Sequence, residues 1–393
     1  MKVLSRNRKD TQHILHKNIG VPALLLLLLT MSLCSALSSQ LLKGKRVLIT
    51  GSGRGIGQAI ALICHKEGAN VIITSRTESE LQETIDLASN QITDEEKNIR
   101  LKQSSMAATL LSRRGGKSKT MSTGKSTSVG ARRTGSATKA RMKPSSISQL
   151  ADAVKTGSST TCSSDDESCT NRMLYYLCDV TNESDVDSMI HQILDEEGDI
   201  DILINNAGGG QSNKGPVGTL ESRDLENIFK LNVLGPQLLT SAICKHSWNK
   251  ESPNQKVILN ISSKAGKVGL QNYSFYVASK FALEGLTSTW SKELLSKNVR
   301  VHSISPGMVD TKSFPKPPGK KGVREASSIK DSLLFILTGK IMHEKIIDVV
   351  DDMMKYTGHY LHVDEYDTVI CEKGIKDAYL AFKQIDEVPF SLE

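Results

Sequence analysis

Asp and Glu are missing from Asn98 to Ala151, although the chain of 393 residues carries 43 of them, and no aromatic side chain lies between Asn90 and Arg172. What fills that stretch is Ser, Thr, Gly, Lys and Arg. Such a composition cannot bury enough apolar surface to order itself, so residues 91–172 are predicted to form a disordered insertion. The twelve Lys and Arg between positions 98 and 151 exceed the formal net charge of +7, so the rest of the chain is net acidic. The basic character therefore belongs to one segment, not to the fold. A polycation of this kind can hold anionic lipid, and its many hydroxyls invite phosphorylation. Tight cysteine spacing is also missing. The seven cysteines show no C-x-x-C and no histidine at ligand spacing, which argues against a disulfide framework or a zinc site. No metal is expected, and only Cys162 and Cys169 are placed to pair.

Long apolar runs are absent but for one. Lys2, Arg6, Arg8, Lys9 and Lys17 precede an apolar core from Ile19 to Leu37, and Cys34-Ser35-Ala36 is an acceptable cleavage site. Residues 1–40 read as a signal peptide, or as a signal anchor long enough to meet the bilayer. Either way the expectation is a membrane partner and a secretory-pathway location, the endoplasmic reticulum first, with a plastid leader as the alternative. A nuclear role conflicts with such a segment, so nucleic acid is not expected as a partner.

Between these segments, apolar runs of strand length alternate with helical periodicity. RVLIT, NVIIT, MLYYLCDV, DILINNAG, KVILNISS, VRVHSISPG and HYLHVD read as seven strands, with helices between them. That order predicts an α/β fold built on a single doubly wound parallel sheet, with ligands at the carboxyl ends of the strands. The domain is expected to comprise residues 41–90 and 173–375, interrupted once by the insertion, with 376–393 as a tail.

TGSGRGIG, residues 50–57, leaves the first strand and opens the first helix. Glycines there let backbone approach a pyrophosphate, and the helix N-terminus offers unpaired N–H groups. Tyr276 and Lys280 stand at i and i+4 on a predicted helix and so share one face. A phenol with a pKa of about 10 is a weak base at neutral pH, and a neighbouring ammonium is expected to lower it. Tyr273 has Val277 at i+4, so it cannot make this pair and reads as a pocket-wall aromatic.

T-G-x-x-x-G-x-G after the first strand, NNAG after the fourth, and Y-x-x-x-K thirteen residues after Ser263 together resemble the short-chain dehydrogenase/reductase family of the classical type. The resemblance covers about residues 43–90 and 173–312. It implies a Rossmann-like fold and hydride transfer between a nicotinamide cofactor and a carbonyl or secondary alcohol. It also implies a catalytic set of Asn232, Ser263, Tyr276 and Lys280, with Asn232 holding a water that links Lys280 to solvent. Cofactor contacts are implied for Thr50, Gly51, Ser52, Arg54, Gly55, Ile56 and Gly57 in the glycine loop, and for Ser75 and Arg76 after the second strand. Further implied contacts are Asp179 and Val180 after the third strand, Asn206, Ala207 and Gly208 after the fourth, Tyr276 and Lys280, and Pro306, Gly307, Val309 and Thr311 in the SPGMVDT stretch. NAD users of the family close the second strand with an acid, whereas Thr74-Ser75-Arg76 has none. Arg76 and Arg54 suit a 2′-phosphate, so NADP(H) is the expected cofactor.

From Lys312 to about Met354 a substrate lid is expected, with SLLFILTGKI as an apolar helix suited to a lipophilic 3-oxoacyl, sterol or retinoid-like substrate. HVDEYD lacks the glycine pair the family places after its last strand, which puts the usual oligomer in doubt while leaving a homo-oligomer open. Two other readings stand beside this one: an NAD-dependent alcohol dehydrogenase of the same family, and a membrane-tethered scaffold that uses the basic insertion.

Overall fold

Seven parallel strands form the middle of a nine-stranded sheet in the computed structural model, which describes residues 40–91, 156–158, 171–249, 252–312, 314–342, 346–348 and 353–385. All of these except Gln91 belong to a single unit. The predicted leader and nearly all of the predicted insertion, with Cys162 and Cys169, lie outside the described residues. Among the described residues no helix is long and apolar enough to cross a membrane.

The strands are β1 (Arg46–Thr50), β2 (Asn70–Ser75), β3 (Thr156–Ser158), β4 (Met173–Leu177), β5 (Ile202–Asn205), β6 (Lys256–Ile261), β7 (Val299–Ser305), β8 (His359–His362) and β9 (Phe382–Gln384). Their order across the sheet is β9-β8-β7-β6-β5-β1-β2-β4-β3, and only the two outermost strands run antiparallel to their neighbours. Helices α1 (Gly55–Lys66), α2 (78–91), α3 (Glu183–Glu196), α4 (Ser222–Phe229), α5 (Gly235–His246), α6 (Ser274–Glu293), α7 (Lys330–Thr338) and α8 (Val363–Lys373) alternate with them. Val47, Leu48 and Ile49 are fully buried, and every residue of β5, β6 and β7 is buried as well. Burial on both faces is what a parallel sheet under two helical layers requires. The chain winds from β1 to β2 on one side and resumes at β5 on the other, so a crevice opens at the carboxyl ends of β1 and β5.

Both edges go beyond the seven expected strands. Thr156–Ser158, inside the stretch assigned to the insertion, pairs antiparallel with β4. The predicted tail is ordered at its start: Ile375–Ala381 forms a 3-10 helix and Phe382 begins β9, with Ala378, Ala381 and Phe382 buried. The physical reason is an apolar one. The Phe382 ring lies 5.1 Å from Phe335 and 5.3 Å from Tyr356, filling a gap that a polar tail would leave open.

The expected lid helix is a core helix instead. Leu333, Leu334, Phe335, Ile336 and Leu337 of α7 are all buried within the main hydrophobic cluster. Its apolar residues are continuous because the helix is covered on all sides. Arg300 of β7, itself buried, donates from Nη1 to the Ile336 carbonyl (3.1 Å) and from Nη2 to the Leu337 carbonyl (3.0 Å), while its Nε donates to Gln255 (2.6 Å). The last carbonyls of a helix have no intrahelical partner, and a guanidinium at the negative end satisfies them. Arg300→Met is therefore expected to lower stability by about 3 kcal/mol, by leaving those carbonyls buried and unpaired. Urea unfolding followed by circular dichroism measures this, and an unchanged midpoint would contradict the assignment.

Candidate active site

The loop after β1 is held by the turn after β5. Thr50 Oγ1 accepts from the backbone N–H of Asn206 (3.0 Å) and of Ala207 (2.9 Å), and Asn206 Nδ2 donates to the carbonyls of Thr50 (2.8 Å) and Gly51 (3.0 Å). A Cβ on Gly57 would stand 2.3 Å from the Gly51 carbonyl oxygen and 2.4 Å from Asn206 Nδ2, so no side chain fits there. Ser52 is fully buried; its hydroxyl accepts from Thr74 N (2.9 Å) and donates toward the Ile49 and Thr74 carbonyls, which ties β1 to β2. Helix α1 starts at Gly55 with no side-chain cap and no acid in its first turn, and Ile56 packs against the core.

The stretch after β7 lies against this loop. Gly55 has φ +61°, and a Cβ there would stand 3.3 Å from Thr311 Cβ. Pro306 and Val309 are buried, and the short Met308–Val309 strand pairs with Val323–Arg324. Arg324 in turn binds Asp364 and Asp367 at the start of α8, which fixes the turn at Gly307 from below. After β2, Arg54 pairs with Glu80 (3.0 Å), Arg76 stands 3.8 Å from Asp179, and the Ser75 hydroxyl closes a turn with Thr77. Asp179 also accepts from the backbone and hydroxyl of Thr181, and Val180 beside it is buried.

Tyr276 and Lys280 sit on α6, which is tied to the sheet by a buried relay: Asn205 Nδ2 donates to Asn260 Oδ1 (2.9 Å), and Asn260 Nδ2 to Thr287 Oγ1 (2.8 Å). Lys280 is buried, donates to the Ile261 carbonyl (2.9 Å) and lies 5.9 Å from the centre of the Tyr276 ring. Burial brings its pKa down to about 8, against the pull of Glu284. The Tyr276 phenol shares a hydrogen bond with Ser263, which lies at the end of β6 and caps the following 3-10 turn by accepting from Ala265 N (3.1 Å). Burial raises the Tyr276 phenol above the ordinary tyrosine range, and the Ser263 hydrogen bond only partly offsets this.

Asn232 stands in a π turn, Lys230–Leu234, between α4 and α5. Its Oδ1 accepts from Gly209 N (2.8 Å), and its Nδ2 donates to the Gly209 carbonyl (3.0 Å) and to Ser279 Oγ (3.0 Å). The side-chain amide is thus committed to protein partners. Gly208 lies where a Cβ would stand 3.2 Å from Asn232 Oδ1 and 3.8 Å from Lys280 Nζ, so the turn after β5, the π turn and α6 meet at one point.

One residue of this constellation carried no sequence signal. Gln211 is buried, and its Oε1 accepts from the backbone N–H of Phe275 (3.0 Å) and Tyr276 (3.2 Å). Tyr273, at the N-cap of α6, makes no side-chain cap bond, so Gln211 supplies that acceptor from another loop. Neither periodicity nor a local capping pattern points to it, because the cap comes from far away in sequence.

A sequence profile described as "short chain dehydrogenase" matches residues 45–109 and 141–318. The 3-oxoacyl-[acyl-carrier-protein] reductase of Thermotoga maritima is 26% identical over 190 residues, which is 48% of this chain and 74% of that protein. A diacetyl reductase, (S)-acetoin forming, of Staphylococcus aureus is 32% identical over 133 residues, 34% of this chain and half the length of that protein. Among solved structures, a short-chain dehydrogenase of Shigella flexneri complexed with NADP shares the fold at a TM-score of 0.55 and 17% identity, covering 83% of this chain and 100% of that one. The 3-ketoacyl-(acyl-carrier-protein) reductase of Brucella melitensis complexed with NADH shares it at 0.50 and 20%, covering 75% and 91%. With the glycine loop, the NNAG turn and the Ser-Tyr-Lys group assembled at one end of the sheet, and with a profile match over more than half its length, the chain belongs to the short-chain dehydrogenase family.

Proposed function

We propose that the chain is an NADP(H)-dependent reductase of carbonyl groups on lipophilic substrates, 3-oxoacyl, sterol or retinoid-like in class, with Tyr276 as proton donor. The observation that carries this reading is the buried Tyr276 phenol beside Ser263, with Lys280 held behind it 5.9 Å from the ring centre. A phenol protonated at neutral pH can give its proton to a carbonyl oxygen during reduction. The residues fit a nicotinamide dinucleotide: the uncapped, acid-free start of α1 presents N–H groups to a pyrophosphate. When bound, that cofactor supplies the hydride. Ser263 and Tyr276 hydrogen-bond the carbonyl oxygen and polarise it. As negative charge develops there, the phenol transfers its proton to that oxygen, and the Lys280 ammonium stabilises the phenolate left behind. Asn232 and Gln211 hold the turn after β5 and the start of α6 in register.

The apolar substrate class rests on four exposed hydrophobic side chains: Val217, Leu270, Met308 and Phe314. They come from the loops after β5, β6 and β7, at the same end of the sheet as Tyr276. Residues 1–40 are the basis for placing the enzyme at a membrane of the secretory pathway. The choice of NADP(H) rests on Ser75-Arg76, where β2 ends without a carboxylate. Arg54 and Arg76 face Glu80 and Asp179, and these pairs favour a second reading, NAD use, in which the acids serve the ribose. Exposed ion pairs are worth only about 0–1 kcal/mol, so a 2′-phosphate can displace them.

Fluorescence titration of the purified protein is expected to give tighter binding for NADPH than for NADH, with Arg76→Glu abolishing the difference. Equal or stronger binding of NADH would favour the NAD reading. In a reductase assay with 3-oxoacyl thioesters of increasing length, kcat/KM should rise with chain length, and Tyr276→Phe should lower kcat by about a thousandfold while leaving cofactor binding intact. The same rate should fall as pH rises through about 8, where Lys280 gives up its proton; a rate that climbs through this range would point to oxidation. Gln211→Ala should reduce kcat about tenfold with little change in KM, because Tyr276 loses its fixed position. Gln211→Glu, which keeps an acceptor at a helix N-terminus, should recover most of it, and no difference between the two variants would sink the capping role.

A further inference from the structure

Away from the site, three side chains able to bind a metal meet between two helices. Asp187 and His191 stand at i and i+4 on α3, so they project from one face, and His246 comes from the last turn of α5 packed beside it. One donor atom from each lies within 4.8 Å of the other two. His246 Nε2 is 2.9 Å from Asp187 Oδ1, His191 Nδ1 is 3.6 Å from Oδ2, and the two imidazole rings lie 4.1 Å apart.

The core does not require this meeting. Helix α3 packs through Val186, Met189, Ile190 and Ile193, and α5 through Leu239, Ala242 and Ile243, on faces that do not include the three polar residues. We propose that Asp187, His191 and His246 form a binding site for a divalent transition metal of the zinc class, with solvent completing its coordination. Two imidazoles and one carboxylate are the ligand types such an ion takes, and three protein donors leave a position open to water. Metal–ligand bonds of about 2.0–2.1 Å in a tetrahedron put donor atoms about 3.3 Å apart. The pair at 2.9 Å needs to open slightly and the wider pairs to close, and His191 and Asp187, both about half exposed, are free at the surface to turn. Binding through His191 Nδ1 exchanges its 2.8 Å contact with the Asp187 backbone carbonyl for the metal, which asks only a small turn of a half-exposed ring. The sequence hides the site, because His246 lies on a separate helix and no ligand spacing links it to the other two.

The test is a titration of untagged, chelator-stripped full-length protein with Co²⁺, followed by its visible absorption bands, and then competition with Zn²⁺. The expected result is one tightly held ion per chain, displaced by Zn²⁺, with binding weakened at least tenfold in His246→Ala and in His191→Ala and lost in the double variant. NADPH titration of the same samples should be unchanged, which shows the variants are folded and keeps this result separate from the proposed reductase activity. Absence of saturable binding in the parent protein would overturn the site. So would a Co²⁺ spectrum and stoichiometry that persist in the double variant, because the ion would then sit elsewhere.

Discussion

Everything at the carboxyl end of the sheet depends on how the loop after β1 is fastened to the turn after β5. Thr50 and Asn206 exchange hydrogen bonds in both directions across the two strands, using one hydroxyl and one carboxamide to satisfy two N–H groups and two carbonyls. These backbone groups lie where the winding reverses, so no neighbouring strand reaches them there, and buried backbone polar groups left unpaired are costly. The fastening sets the height of the glycine loop, and through Gly55 and Thr311 the position of the stretch after β7. It also sets Gly208 against Asn232 and Lys280. One local exchange therefore fixes the cofactor loop and the proton-handling residues relative to each other.

Burial is the second constraint, and it acts on charge. Lys280 is held in a buried position with a carbonyl as its nearest acceptor, and its pKa falls accordingly. Tyr276 is pushed the opposite way by the same desolvation. For a phenol and an ammonium the charged form is the one disfavoured, so Lys280 becomes the more acidic of the two groups and Tyr276 the less acidic. As pH rises, Lys280 therefore gives up its proton before Tyr276 does.

The parallel core, the glycine loop and the Tyr-Lys pair were legible in the sequence because each has a period or spacing of its own: continuous β-branched runs, glycines at a strand-to-helix junction, and i, i+4 on a helix. What the sequence left hidden depended on contacts between distant segments. The apolar run 333–337 reads equally well as a lid or as a core helix, and only Arg300 beneath its carboxyl end and Phe382 beside it decide for the core. Gln211 caps a helix that begins more than sixty residues later, which no local capping pattern encodes. The degree of burial around the Tyr276 phenol was also invisible, since the sequence supplies a neighbouring charge but not the packing about it. The Asn232 side chain is tied to Gly209 and Ser279, contacts that no local spacing encodes.

The two antiparallel edge strands bear on how copies of the chain can meet. Each is three residues long, and each covers the flank of a longer parallel strand, β4 on one side and β8 on the other. A sheet edge recruits another chain in proportion to the run of free N–H and C=O groups it offers, and short edges offer few. Among the described residues, the sheet thus offers a second copy little backbone to pair with at either end. Side chains on the helical faces, unlike backbone pairing, are a surface that a single substitution can retune.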